Sequence, residues 1–193
     1  FENEDIVHVS GKVSPIDDIE IINTELILAD LNTVEKLYEK SIKNTKSGQK
    51  EGIPLRELLE KILPVLEEGQ SLRALSFDED EIKLLKGFQL LTIKPVLYVA
   101  NVSEDGFQNN HHLDVILNFA KNENSEVVPI CAEIEAQISK LEIQEKKEFL
   151  SEMGQSESGL DRLVKAGYKL LGLQTYFTAG EQEVRAWTIN FGD

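Results

Sequence analysis

From Ile19 to Ile42, apolar and small residues advance by steps of three and four along two stripes. One runs through Ile19, Ile22, Leu26, Ala29, Thr33 and Leu37, the other through Ile27, Leu31, Val34, Tyr38 and Ile42. The period predicts a single long helix, opened by Ser14 as N-cap and Pro15 in the first turn. Asp17 and Asp18 then sit at the positive end of its dipole. A surface helix needs one stripe; two predict packing against a partner helix and also against a domain. Asn44 to Gly52 is a polar break. Ile53-Pro54 opens a second helix with Leu55, Leu59, Ile62 and Leu66 at heptad-like spacing, which Pro64 should kink or end. The pair predicts an antiparallel helical hairpin.

Ser76-Phe77-Asp78-Glu79 reads as a capping box that starts a short helix reaching about Lys86. The pattern then changes. From Thr92 to Ala100 the chain is apolar and β-branched, the signature of a strand buried on both faces, and it breaks at Asn101 into polar residues. A helix around His111 to Ala120 and a second buried strand, Glu126 to Ile130, follow. Further helices are expected over 132–141 and 145–153, and a third is capped by Ser158. Its buried face is expected at Leu160, Leu163, Val164, Tyr168 and Leu171, and Gly172 stops it. Period-two alternation returns in Thr175–Thr178 and Val184–Ile189 around a turn at Ala179-Gly180, which predicts a β-hairpin. Strands alternating with helices predict an α/β fold with a parallel sheet. Because a buried strand resumes after the helical hairpin, that hairpin reads as an insertion.

The 193 residues are 41% hydrophobic and 28% charged, enough for one core with a satellite. No apolar run approaches membrane-spanning length, and no charged-then-apolar leader opens the chain. One cysteine excludes an internal disulfide framework and fits a reducing compartment, so a cytoplasmic location is expected. The first residue is Phe1, which reads as a fragment or a processed chain. A net charge of −15 argues against broad electrostatic binding to free DNA or other naked nucleic acid. Lys40, Lys43, Lys46 and Lys50 interrupt that charge at the tip of the helical hairpin, with no acid between Lys40 and Lys50. The tip is either a solvated turn or a positive end presented to RNA.

Candidate chemistry gathers after the first strand. In an open α/β sheet, ligands lie outside the carboxyl ends of strands, which is where Asn101-Val102-Ser103-Glu104 falls. A carboxamide offers an acceptor and donors on one plane and can pair with the amino and ring-nitrogen edge of adenine. The same tetrapeptide also fits ordinary turn chemistry, with Asn bonding its own backbone. His111 and His112 have no metal-ligating partner at the right spacing, and His8 is unassigned. Cys131 reads as a small core residue. Tyr176, Phe177 and Trp187 read as packing of a small β domain rather than a base-stacking platform.

Several blocks resemble the YchF subfamily of Obg-like P-loop NTPases: Phe1–Val13, Asn23–Leu26, Ala29–Leu31, Thr33–Lys36, Lys94–Glu104, Leu173–Glu181 and Glu183–Thr188. The resemblance covers the chain in order, and its last two blocks are the most specific. It implies the C-terminal half of a P-loop NTPase domain (1–16 and the base-recognition part, 76–172). A coiled-coil helical hairpin (17–75) is inserted in it, and a TGS domain begins at 173–193. It further implies a ribosome-associated hydrolase, with the large subunit as partner, that takes ATP in preference to GTP. In guanine-specific relatives of that family the base is read by Asn-Lys-x-Asp. Here Asn101, Val102, Ser103 and Glu104 stand in those places, with a carboxylate one methylene longer and no lysine stem, a departure that favours adenine. By the same resemblance Cys131-Ala132-Glu133 closes over the base. The G-x-x-x-x-G-K-[ST] loop for phosphate and Mg2+ is absent, as is the Asp-x-x-Gly switch; both lie upstream of Phe1 in the family's order. The chain alone is therefore expected to be inactive. The competing expectation is a non-catalytic ribosome- or RNA-interaction module whose conformation is set by nucleotide.

Overall fold

A computed structural model of the chain describes residues 13–46 and 52–192. Phe1 to Lys12 (with His8), the tip residues 47–51 (with Lys50) and Asp193 lie outside the described residues. The chain divides into two units, one spanning Ile16–Pro95 and one built from Val96 onward.

In the first unit, α1 (Pro15–Lys46) is one unbroken helix with Asp17 and Asp18 in its first turn. The second helix, α2 (Ile53–Glu67), packs on it, so Ile27 and Val34 share a core with Leu58, Leu59, Ile62 and Leu66. Each such leucine or isoleucine contributes about 1.5–3 kcal/mol by leaving water. Tyr38 Oη donates to Glu60 Oε1 at 3.1 Å across the pair. Only one of the two expected stripes is buried. In the other, Leu37 packs against that core but Ile22 is 59% exposed. Pro64 neither ends nor interrupts α2, which runs on to Glu67. It sits in the last turn, where its missing N–H removes one helical bond while its own carbonyl accepts Glu68 N at 2.9 Å.

A 3-10 turn at Leu72–Ala74 leads to α3 (Glu79–Lys86). The cap lies two residues beyond the expected Ser76. Asp78 accepts from Asp80 N and Glu81 N, and Glu81 accepts from Asp78 N, completing the box. Lys61 Nζ lies 2.7 Å from Glu81, and that contact, with the Asp78 amide, holds the Glu81 carboxyl below its ordinary pKa. Leu85 and Leu90 join the α1–α2 core, so residues 76–95, expected with the sheet, pack in the helical unit. Asp30 ties the unit together. Only 3% exposed, it accepts from Leu91 N (2.8 Å), Thr92 N (2.7 Å) and Thr92 Oγ1 (2.7 Å).

The second unit holds β1 (Leu97–Asn101) and β2 (Glu126–Ile130), paired in parallel with Ala100 opposite Pro129 and Asn101 opposite Ile130. The strand starts at Leu97 rather than Thr92. Thr92 is committed to Asp30, and Pro95 has no donor for a ladder. Nor is β1 buried on both faces: Ala100 is covered, but this two-stranded sheet leaves Val99 46% exposed. Between the strands runs α4 (His111–Asn122), capped by Asn110. Val102 N donates to Ile130 O, so strand alternation turns the Ile130 backbone toward β1 and that of Pro129 to the outer edge. Arg162 Nη2 donates to the Pro129 carbonyl there at 3.0 Å.

After β2 come α5 (Ala132–Ile138), α6 (Ile143–Glu152) and α7 (Gly159–Leu170), the last capped by Ser158. The face of α7 turned to the sheet is not the expected one. Arg162, Ala166 and Lys169 look toward β2, with Lys169 on Glu126 at 2.9 Å, while Leu160 is 56% exposed and Val164 and Leu171 are exposed too. Gly172, at φ +62°, ends the helix, a conformation that favours glycine. An antiparallel hairpin of β3 (Leu173–Ala179) and β4 (Val184–Asn190) follows, with Tyr176 opposite Trp187. It is anchored by Phe191 N on Gly172 O (2.6 Å) and by the Tyr168 and Thr188 hydroxyls at 3.3 Å. Its aromatics do not form a core here: Phe177 is 72% exposed, and Tyr176 and Trp187 are exposed as well.

Candidate functional site

Two loops meet at the carboxyl end of the parallel sheet. One leaves β1 at Asn101, the other leaves β2 at Ile130, and the register places these residues side by side. The Asn101 side chain closes the gap, its Oδ1 accepting the Ala132 amide at 3.0 Å. Ala132 is the first residue of α5, so this contact satisfies a helix N–H that lacks an intrahelical partner. The amide nitrogen of Asn101 and a second lone pair on Oδ1 remain at the sheet rim. Asn101, Ala132 and Glu133 are exposed, whereas Val102 and Cys131 are buried beneath them. Glu104 is exposed in the turn after Val102.

The first loop is shaped by its own polar groups. Ser103 Oγ donates to Asp105 Oδ1 at 2.9 Å, and Gly106 N returns to Ser103 O at 2.9 Å. A Cβ on Gly106 would stand 2.8 Å from Ser103 Oγ, so the turn closes this tightly only with glycine. The structure brings Asn101, Val102, Glu104, Cys131, Ala132 and Glu133 together at the ends of two paired strands. Lys40 and Lys43 are exposed near the end of α1 in the other unit; Lys46 is the last residue of α1, and Lys50 is outside the described residues. Among the described residues no cluster of three or more His, Cys, Asp or Glu could hold a metal ion.

Residues that support these loops have no signal in the sequence. Glu135, on α5, accepts Gly159 N at 2.7 Å and Leu160 N at 3.3 Å. Arg162 donates to Gln155 Oε1 and to Pro129 O, and its guanidinium lies 6.0 Å from the Phe107 ring. The partners are 24 residues apart for Glu135 and 33 for the Arg162–Pro129 bond. Ser158 Oγ donates to Asp161 Oδ2 at 2.6 Å. That bond, helped by Lys146 nearby, holds the Asp161 carboxyl below its ordinary pKa. A cleft of about 300 Å³ lies between β2 and α7, but it does not include Asn101 or Ala132. Its cations are already paired, Lys165 with Glu157 and Lys169 with Glu126.

No protein-family profile matches the chain. Individual proteins do, over its whole length. The Ribosome-binding ATPase YchF of Haemophilus ducreyi is 53% identical over 192 residues, that of Escherichia coli O157:H7 is also 53% identical over 192, and that of Bacillus subtilis is 52% identical over 195. Each alignment takes in 100% of this chain and 53% of the relative. Among solved structures, the Schizosaccharomyces pombe YchF GTPase superposes with a TM-score of 0.84 at 31% identity, over 100% of this chain and 53% of that one. The chain belongs to the YchF family. It spans about half the length of the curated YchF relatives it matches. The α/β architecture, with its parallel pair and flanking helices, is shared with the YchF structure. The names of these YchF proteins differ over the nucleotide, ATPase for the bacterial relatives and GTPase for the yeast one.

Proposed function

We propose that this chain is the base-recognition half, the inserted coiled-coil hairpin and the opening β strands of a TGS domain from a ribosome-associated, Obg-type P-loop hydrolase. That protein takes ATP in preference to GTP and works in the cytoplasm on the large ribosomal subunit. The observation that supports the reading best is the Asn101 carboxamide at the sheet rim, fixed by Ala132 N with its own NH2 still available. Adenine offers an acceptor ring nitrogen and a donor amino group on one edge, a pattern that one carboxamide matches in both senses. Guanine instead asks for a carboxylate to accept from its N–H groups, and Glu104 is exposed and one methylene longer than the aspartate that does this in guanine-specific relatives. Val102 is buried in the core under the loop and supplies no stem over the base. Cys131, Ala132 and Glu133 form the second wall.

Phosphate and Mg2+ are assigned to groups outside these 193 residues. This half supplies binding and base choice, while attack of water on the γ-phosphate is positioned elsewhere in the intact protein. Lys40, Lys43, Lys46 and Lys50 are the proposed contacts to ribosomal RNA. The test is calorimetry of ATP and GTP on the full-length protein, with single-turnover hydrolysis in the presence and absence of ribosomes. ATP should bind more tightly, and Asn101→Ala should erase most of the preference, about tenfold for one lost bidentate pair. Tighter binding of GTP than of ATP overturns the base assignment. A hydrolysis rate no faster than that of free ATP under both conditions overturns the hydrolase.

A further inference from the structure

The base-side segment 131–133 is the N-cap and first two residues of α5, a helix of two turns only. A helix this short has little stability of its own and keeps its direction through what grips its side chains. Ile134 and Ile138 are buried in the core of the second unit. The polar grip is Glu135. Its two carboxylate oxygens receive the first two amides of α7, Gly159 N at 2.7 Å and Leu160 N at 3.3 Å. With Asp161 N on Ser158 Oγ and Arg162 N on Ser158 O, all four leading N–H groups of α7 are satisfied, two of them by α5.

Gly159 makes the approach possible. A Cβ there would stand 2.8 Å from Ile130 Cγ2 and 2.9 Å from Glu135 Oε1, too close for either to stay. Ile130 is the last residue of β2 and directly precedes Cys131. The start of α7, the end of β2 and the middle of α5 thus meet at one point, and the loop 131–133 spans two of the three. The opposite loop touches the same helix through the Arg162 guanidinium, 6.0 Å from the Phe107 ring. At its far end α7 passes through Gly172 into β3 and touches the β hairpin at Thr188.

We infer that Glu135 is a positioning residue for the base site: by clamping the start of α7 it fixes where α5 begins, and hence where Ala132 N stands for the Asn101 carboxamide. The inference rests on the nucleotide-site reading above for its affinity consequence, but not for its mechanical one. Glu135 touches no base. It acts through Ala132 and Asn101, and it links the loop that closes over the nucleotide to the helix that carries the β hairpin. Base occupancy and the position of that hairpin are thereby coupled through α5 and α7.

The experiment is amide hydrogen exchange on the full-length protein, wild type against Glu135→Ala and Glu135→Gln, read peptide by peptide, with ATP affinity measured in parallel. Losing a cap of this kind is worth about tenfold in local opening. Glu135→Ala should therefore raise exchange about tenfold over 159–162 and, the decisive part, over 131–134 as well, while weakening ATP binding by a similar factor. Glutamine keeps an acceptor for the shorter bond to Gly159 N and should restore most of both. Faster exchange at 159–162 with 131–134 unchanged overturns the inference, leaving Glu135 a cap of α7 alone. If Glu135→Ala does not fold, Gly159→Ala, which pushes the two helices apart with Glu135 intact, must show the same paired change, and exchange confined to its own helix is equally fatal. Should the wild type bind neither nucleotide, the base-site reading fails by itself, and the exchange result still decides the clamp.

Discussion

Asp30 is a carboxylate in the interior of a helical unit, and its charge is met by three donors from Leu91 and Thr92, 61 and 62 residues along the chain. Removing it leaves those donors without an acceptor in a site that water does not reach. Asp30→Ala should cost about 3 kcal/mol, read as a lower urea midpoint, whereas Asp80→Ala on exposed α3 should stay within about 0.5 kcal/mol. Asn101 is the opposite case, an exposed side chain with a single intramolecular bond through Oδ1. Its replacement should cost stability only about 1 kcal/mol, so the loss of nucleotide preference proposed for Asn101→Ala is separable from unfolding. The protonation of Asp161 adds a pH signature. The Ser158 hydroxyl and Lys146 lower its pKa in the folded state, so the stabilisation is complete above the unfolded value near pH 4 and disappears as pH falls through the lower native value. Asp161→Asn should therefore flatten the acid limb of a stability–pH curve below about pH 4 and leave its slope near pH 7 unaltered.

At the scale of elements, the sequence was most legible where a signal is local. The bounds Glu126–Ile130 of β2, the Ser158 cap and the Gly172 stop each rest on neighbours within a few residues, and all three stand as expected. Two capping boxes overlap at 76–81, Ser76 with Glu79 and Asp78 with Glu81, and nothing local ranks them. The second is chosen where Lys61, from α2, holds Glu81 in place. Asp78→Ala should accordingly cost about 1 kcal/mol in thermal unfolding and Ser76→Ala almost nothing. The amphipathic face of α7 misled for a different reason. Periodicity identifies an apolar side but not which neighbours exist to cover it, and in this structure Arg162 and Lys169 turn the polar side to β2. The same limit explains why Asn101 could be named from its place after a strand, and Cys131–Glu133 from the family resemblance, while Glu135 and Arg162 could not. The last two are defined only by contacts across 24 and 33 residues.

For the whole molecule, a net charge of −15 repels an RNA surface, so any attraction must be local. Replacing Lys40, Lys43, Lys46 and Lys50 by glutamate in the full-length protein should weaken co-sedimentation with ribosomes. It should also reduce the salt slope by about 1 per lysine in contact; binding that stays unchanged at low salt would remove the tip from the interface. Leu160, Phe177, Val184 and Phe191 are all exposed in the second unit, and this chain on its own should light up an apolar dye such as ANS even when fully folded. Association through the sheet is another matter, because its two rims differ. Along one, a ring nitrogen without hydrogen stands where an incoming chain would need a donor, and a guanidinium already occupies the oxygen beside it. Stacking of copies into a growing ribbon needs a free rim on both sides of the parallel pair, and among the described residues only the Leu97–Val99–Asn101 side is open. Self-association by strand addition to the parallel pair therefore stops at two copies, rim to rim, and does not propagate along that sheet.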